Sequence, residues 1–274
     1  MLKYFILASM ENKNKIRIIP IFTYKNNVLV KSVNYSNYRN VNSILPVIRL
    51  FNKRNVDEMI FLNLEDKIDY NLLENFVNEI DYPITYGGSI QDIETMKKIF
   101  NMGFDKISIN SLLYTNIELV KKASSIFGKQ SIVGSIDIRK IYIKNDTNNI
   151  DNNFTYKCYY NNGKIDSGLT IYEHLENIIK SDCLSEVIIT VIDNEGAFSG
   201  FDTYLYTSLK DFNIRILVNG GGNYNEDNIL KTIKNKNIYG LCFSSLFFFK
   251  QYTPNNIKQL LIKNKINCVN KHLC

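Results

Sequence analysis

Two stretches of this 274-residue chain could hold an anion with little more than backbone. Ile84-Thr85-Tyr86-Gly87-Gly88-Ser89 and Ile216-Leu217-Val218-Asn219-Gly220-Gly221-Gly222 are each a short β-prone run broken by consecutive glycines. Each leads into a polar helix start, Gln91-Asp92-Ile93-Glu94 and Asn225-Glu226-Asp227. Each is then answered by a second apolar run that closes on small polar residues, Ile107-Ser108-Ile109-Asn110-Ser111 and Leu241-Cys242-Phe243-Ser244-Ser245. Glycine lets backbone N–H groups approach a ligand closely, and a helix N-terminus behind them favours negative charge. Two such cradles suit a ligand with a phosphate or similar anion at each end. The plainer reading is that the glycines serve only tight strand-to-helix turns.

The spacing tells which elements must carry these groups. Gly87 to Gly220 is 133 residues and Ser111 to Ser245 is 134, close to half the chain, as a duplicated half-barrel requires. Eight short apolar runs, at 16–22, 58–62, 84–86, 106–109, 131–136, 186–190, 214–218 and 240–243, alternate with stretches whose apolar residues recur at three and four. Strict β/α alternation over one domain length means parallel strands joined by crossovers. The expected fold is α/β: a single (β/α)8 TIM barrel with internal half-barrel duplication, spanning 16–265. An N-terminal arm (1–15) and a C-terminal tail (266–274) flank it. Two insertions break the rhythm. Val28–Val33, after Asn26-Asn27, reads as a hairpin following strand 1; 139–168 reads as another following strand 5, with a soft tip at 145–153. Both fall on the C-terminal face, where barrel active sites lie.

Composition narrows the classes. A hydrophobic share of 45% with 22% charged residues supplies a full core for a soluble protein. The net charge of +6 is scattered, with no arginine-rich face, so nucleic-acid binding is not expected. Five cysteines share no metal-ligand spacing, which argues against a disulfide frame or a zinc site. His174 and His272 are the only histidines, the first on a helical pattern and the second in the tail, which disfavours a nucleophile–histidine dyad. The apolar run at 4–10 is too short to span a membrane, and a cytoplasmic protein is expected. No metal and no cofactor is expected.

The runs Arg17-Ile18-Ile19-Pro20, Val30-Lys31, Asp57–Leu62, Tyr86-Gly87-Gly88, Asp105–Asn110, Ser135-Ile136-Asp137, Ile192–Gly196, Ser199–Asp202 and Gly220-Gly221 together carry a specific resemblance. The chain resembles the cyclase subunit of imidazole glycerol phosphate synthase, in register from about Ile16 to Phe249. The resemblance implies a barrel that takes ammonia from a separate glutaminase subunit docked at its N-terminal face. It implies a substrate with a phosphate at each end, held by Gly87, Gly88, Asn110 and Ser111 at one end. Gly220, Gly221, Gly222, Ser244 and Ser245 would hold the other, with Lys31 and Gly196 as further phosphate or substrate contacts. It implies two catalytic aspartates, at the ends of strands 1 and 5, as general acid and base.

Strand 5 keeps its carboxylate as Asp137. Strand 1 ends Ile21-Phe22-Thr23-Tyr24, so Thr23 stands at the other position, and a hydroxyl there cannot shuttle protons near neutrality. Asn63, Glu195 and Ala197 also depart from the family pattern. Arg17, Glu58, Lys106 and Glu186, at strand starts, match the charged ring that the family uses to admit ammonia; the bland alternative is a structural salt-bridge plug. Chains without the strand 1 aspartate resemble surface-polysaccharide paralogues, associated with converting an acetamido group of a phosphorylated or nucleotide-linked sugar to an acetamidino group. That use is expected first, ahead of histidine biosynthesis and of a catalytically silent barrel that activates and scaffolds a glutaminase.

Overall fold

A computed structural model describes residues 15–143 and 154–269. The expected arm (but for Lys15), the tip at 145–153, and the tail from 270, with His272, lie outside the described residues.

Twelve strands are described: β1 (Arg17–Lys25), β2 (Val28–Val33), β3 (Ser36–Asn42), β4 (Met59–Asn63), β5 (Ile84–Gly87), β6 (Lys106–Ile109), β7 (Ile132–Tyr142), β8 (Phe154–Tyr160), β9 (Ile165–Thr170), β10 (Glu186–Val191), β11 (Arg215–Asn219) and β12 (Ile238–Phe243). Eight of them, in the order β1, β4, β5, β6, β7, β10, β11, β12, pair in parallel and close on themselves through β12 and β1. Amphipathic helices, among them α1 (Ile44–Asn52), α2 (Tyr70–Val77), α3 (Ile93–Asn101), α4 (Leu112–Thr115) and α5 (Ile117–Phe127), cover the outside. The fold is the (β/α)8 barrel that the alternation requires. Among the described residues no helix is long and apolar enough to cross a membrane.

The two insertions lengthen the barrel's own strands. β1 runs to Lys25, past the expected end at 22, because its last residues pair antiparallel with β2. β7 runs to Tyr142, past the expected end at 136, because Asp137 to Tyr142 pair with β8. Thr23 and Asp137 therefore stand inside hydrogen-bonded strands rather than at strand ends. The turns follow from asparagine's tolerance of the left-handed region: Asn26 and Asn27 (φ 51° and 61°) join β1 to β2, and Asn161 and Asn162 (φ 53° and 56°) precede Gly163 between β8 and β9. β3 was not expected; its sequence is polar and it lies mostly exposed, paired only with β2.

Period-two alternation sets what faces the barrel axis. Below, Arg17, Glu58, Lys106 and Glu186 occupy one level. Above them a separate apolar cluster of Ile19, Ile21, Ile60, Val133, Ile188, Leu217 and Cys242 fills the interior. Above that, Thr23, Leu62, Asn110, Asp137 and Thr190 reach the open end. The rest of the core lies between strands and helices, with ring contacts between Phe22 and Phe51 and among Phe61, Phe76, Tyr86 and Phe104. The later helix α6 (Ile171–Ser181) holds His174, buried and stacked on Tyr114 at 4.3 Å, where burial pulls its pKa down to about 4. At the outside, Lys258 of the helix α7 (Pro254–Lys263) is 1% exposed, and its Nζ meets Asp57 Oδ1 at 2.6 Å; Asp57 Oδ2 accepts the backbone N–H of Ile18.

Candidate functional site

The open end of the barrel encloses a cavity of about 500 Å³. Its lining includes Thr23, Asn110, Ser111, Gly87, Gly88 and Asp137, so the structure brings one expected cradle, Asp137 and Thr23 into one space. A smaller recess of about 20 Å³ is lined by Gly196, Gly220, Gly221, Gly222, Ser244 and Ser245. Ser244, Asn219 and Glu195 border both spaces.

Asp137 is buried, and burial pushes its carboxyl up to about 6. Hydrogen bonds from Tyr35 and Thr190, and the charge of Arg139, hold it from rising further. The Tyr35 phenol donates to Oδ1 at 2.7 Å and Asn110 Nδ2 to Oδ2 at 3.3 Å. Thr23 lines the same cavity from β1, in register with Val30 of β2 and Leu62 of β4. A carboxylate with a pKa near neutrality can exchange a proton with a ligand; the group across the barrel from it is a hydroxyl.

The other departures have local reasons. Asn63 Nδ2 donates to Lys67 O at 3.0 Å and to Tyr86 Oη at 3.2 Å, while its Oδ1 accepts from the Glu65 backbone at 2.9 Å. An aspartate could not supply the two donor contacts. Glu195 accepts from Ser32 Oγ at 2.8 Å, and burial pushes its carboxyl up against the opposing charge of Lys31.

Lys31 is buried, with Nζ donating to Ile21 O at 2.8 Å and to Ser244 Oγ. Burial lowers its pKa to about 7, which Glu195 partly offsets. The hairpin thus brings a cation to the edge of the second cradle. The first has no counterpart: among the described residues lining the large cavity are Glu65, Asp66, Asp137 and Glu195 but no lysine or arginine.

In both cradles the glycines have a steric reason independent of any ligand. A Cβ on Gly88 (φ 110°) would lie 2.0 Å from Asn63 O, and one on Gly221 (φ 85°) 2.3 Å from Gly200 O. The polar residues behind the glycines are caps: Asp92 accepts from Thr95 N and Asn225 from Asn228 N. The short helices after Ser111 and Ser244, beside the cradles, start without a side-chain cap.

At the opposite end, each of the two carboxylates meets both cations. Arg17 Nη1 lies 2.5 Å from Glu58 Oε2 and its Nη2 bonds Glu186; Lys106 Nζ lies 3.1 Å from Glu58 and 3.2 Å from Glu186. Thr85 Oγ1 donates to Glu58 at 3.0 Å, and Arg17 Nε to Tyr239 O at 3.3 Å. Burial works against the charge on Arg17, yet the two carboxylates raise its pKa; burial likewise opposes ionisation of Glu186, yet Arg17 and Lys106 lower it. The network is mutually satisfied.

Sequence reasoning missed Tyr35 and Thr190. Tyr35 sits in a polar segment, 102 residues from Asp137, with no local pattern to mark it.

Residues 17–253 match the family model described as "Histidine biosynthesis protein". Over 254 residues the chain is 32% identical to a Campylobacter jejuni protein provisionally named imidazole glycerol phosphate synthase subunit hisF2, covering 91% of this chain and 96% of that protein. It is 29% identical over 256 residues to the imidazole glycerol phosphate synthase subunit HisF of Clostridium botulinum, covering 91% and 97%. The Lactococcus lactis subunit of the same name is 28% identical over 256 residues, covering 91% and 95%.

Proposed function

The chain belongs to the histidine biosynthesis protein family, as a relative of its cyclase-type synthase subunits, and from that premise we propose that it uses ammonia from a glutaminase docked at the N-terminal face. In this reading the product is an amidinated acetamido sugar for a surface polysaccharide, made in the cytoplasm. The observation that carries it is the contrast between the two ends of the barrel. The ring of Arg17, Glu58, Lys106 and Glu186 is complete, while Thr23 stands where the second acid–base carboxylate belongs.

Ammonia would enter through the ring, cross the apolar layer as a neutral molecule and meet substrate in the upper cavity. Asp137 would hold or release the proton there. The second cradle, with Lys31 beside it, would take the sugar's phosphate. Loss of one acid–base group costs about 10²–10⁴ in rate, so synthesis of imidazole glycerol phosphate should be weak.

The names of the relatives favour a second reading, the cyclase subunit of histidine biosynthesis with Thr23 tolerated. Assaying the purified chain with the formimino-ribulosyl substrate and excess ammonium decides between them. Turnover within about tenfold of a two-aspartate enzyme defeats the sugar reading; weak turnover that Thr23→Asp restores supports it, with the expected gain roughly 10²-fold. A silent scaffold predicts no turnover by either form, with glutaminase activation intact.

A further inference from the structure

Tyr35 takes a backbone conformation that its side chain disfavours. It forms with Asn34 the two-residue turn between β2 and β3, where Val33 pairs with Ser36. Both residues are left-handed, at φ 54° and 61°. Asparagine is at home in the first position, but the second is the usual place of glycine, and an aromatic residue there is rare. Backbone strain of this kind persists where the surrounding structure fixes it, often at functional sites.

The surroundings fix this one from three sides. The Asn34 backbone N–H donates to Glu195 O at 2.9 Å, which ties the turn to the segment after β10. The Tyr35 ring packs on the tip of the other hairpin, where a Cβ on Gly163 would lie 3.0 Å from it. The phenol then reaches Asp137 Oδ1 at 2.7 Å, inside the cavity. The strained turn therefore supports the phenol's hydrogen bond to Asp137, with Thr190 as a further partner of the same side chain.

We propose that Tyr35 is a positioning residue: the first hairpin lowers its phenol onto Asp137, fixes that carboxylate's orientation, and ties its proton affinity to the hairpin being down. The proposal rests on the reading of Asp137 as the acid–base group. The phenol stands in no simple sense for the missing carboxylate at position 23. Beside an anion it is held protonated, its own pKa raised by burial first and by Asp137 next. What it supplies is a donor. A hydrogen bond to the charged form of a carboxylate lowers its pKa, so Tyr35 opposes the rise that burial imposes.

Other groups face Asp137 and set the background. On its own strand is Arg139, whose charge lowers its pKa. From β10 comes Thr190, which also lowers it, and from the segment after β10 comes Glu195, which raises it. Asn110 donates from the end of β6. Tyr38 on the first hairpin, Tyr114 and Cys158 each feel the Asp137 charge. Thr190 also hydrogen-bonds the Tyr35 side chain, so the phenol is shared between Asp137 and Thr190.

The test is the titration of Asp137 in the full chain, followed by the carbon resonance of its labelled carboxyl and assigned with Asp137→Asn. Tyr35→Phe keeps the ring on Gly163 and removes the donor. Its Asp137 midpoint should rise by about one unit from the wild-type value near 6, with the unfolding temperature held within a few degrees. The Tyr35 phenol, read by its labelled ring carbon, should titrate lower in Asp137→Asn than in the wild type. An unmoved or lowered Asp137 midpoint in Tyr35→Phe overturns the proposal. So does a phenol midpoint unchanged in Asp137→Asn. In whichever synthesis assay the wild type turns over, the acid limb of the pH–rate profile should move in Tyr35→Phe by the same amount. A limb that stays still while the carboxyl midpoint moves removes Asp137 from the chemistry and leaves the contact structural. Failure of the functional reading thus appears in the rate profile, and failure of the Tyr35 contact in the titration.

Discussion

The two glycine cradles share a backbone and differ in charge. Gly88 in the first and Gly220 and Gly221 in the second need glycine because a Cβ would strike a backbone atom of the same chain. Both cradles stand beside a short helix whose start has no side-chain cap. Around the second, Lys31 bonds Ser244, and Lys250 lies over the Phe198 ring at 5.1 Å. Around the first lie Glu65 and Asp66. Duplication preserved the turn, whose sterics are strict, and left the surrounding charges free to diverge. A ligand with equal anions at its two ends would meet unequal partners.

The largest expected effect tests what the cradles share. Gly88→Ala and Gly221→Ala should each cost roughly 3 kcal/mol in denaturant unfolding, from left-handed strain plus backbone overlap. A loss under about 1 kcal/mol at either position breaks the premise of a common steric turn. Bulky substitutions at Gly221 are for the same reason poor probes of anion binding.

What differs is tested by Lys31→Met. Sulfate binding, followed separately at the Gly88 and Gly221 amide resonances, should weaken about tenfold at Gly221 and remain unchanged at Gly88. Equal weakening at both would mean that Lys31 acts on the barrel as a whole.

The pH dependence should divide the cradles more gently. Lys31 is charged below about 7, so sulfate affinity at Gly221 should fall severalfold as pH rises through that value, with Gly88 flat. Without anion the sign reverses. Between about 7 and the ordinary lysine value of 10.5 the unfolded chain binds a proton that the buried amine lacks, so stability should rise with pH. A sulfate profile that keeps its slope in Lys31→Met assigns it to another group.

The smallest effect is expected from Glu65→Gln. Removing one partly exposed charge should roughly double sulfate affinity at Gly88, and no change would take Glu65 out of the comparison.

The barrel itself was legible because β/α alternation is a local signal repeated eight times. The positions of Arg17, Glu58, Lys106 and Glu186 were legible because each stands at or near the start of a strand, where the resemblance implies a charged ring. The hairpins were half legible. Asn26-Asn27 and Asn161-Asn162-Gly163 announce turns, but Ser36–Asn42 is polar and exposed, so its hydrophobic pattern says nothing of a strand. The lengthening of β1 and β7, which moves Thr23 and Asp137 inside strands, depends on pairing that only the closed hairpins create. Tyr35 was illegible for the same reason. Its meaning lies in a contact with a distant strand, and its turn sequence, read alone, would favour glycine at that place.

Closure between β12 and β1 carries a consequence for the chain as it is made. Arg17 Nε donates to Tyr239 O across 222 residues, and Arg17 to Pro20 of β1 pair with Gly240 to Phe243. Until those last residues leave the ribosome, β1 has one open side, with unpaired amides and carbonyls and strongly apolar neighbours. The half-made product is thus an open sheet able to recruit any other unfinished strand, for as long as translation of the intervening residues takes. Early docking of β4 on β1 would shield the opposite side, and β2 covers the β12 side only at Thr23 to Lys25, which leaves Arg17 to Pro20 open. Synthesis rate and chaperone supply, more than the stability of the finished barrel, should then set the yield of soluble protein.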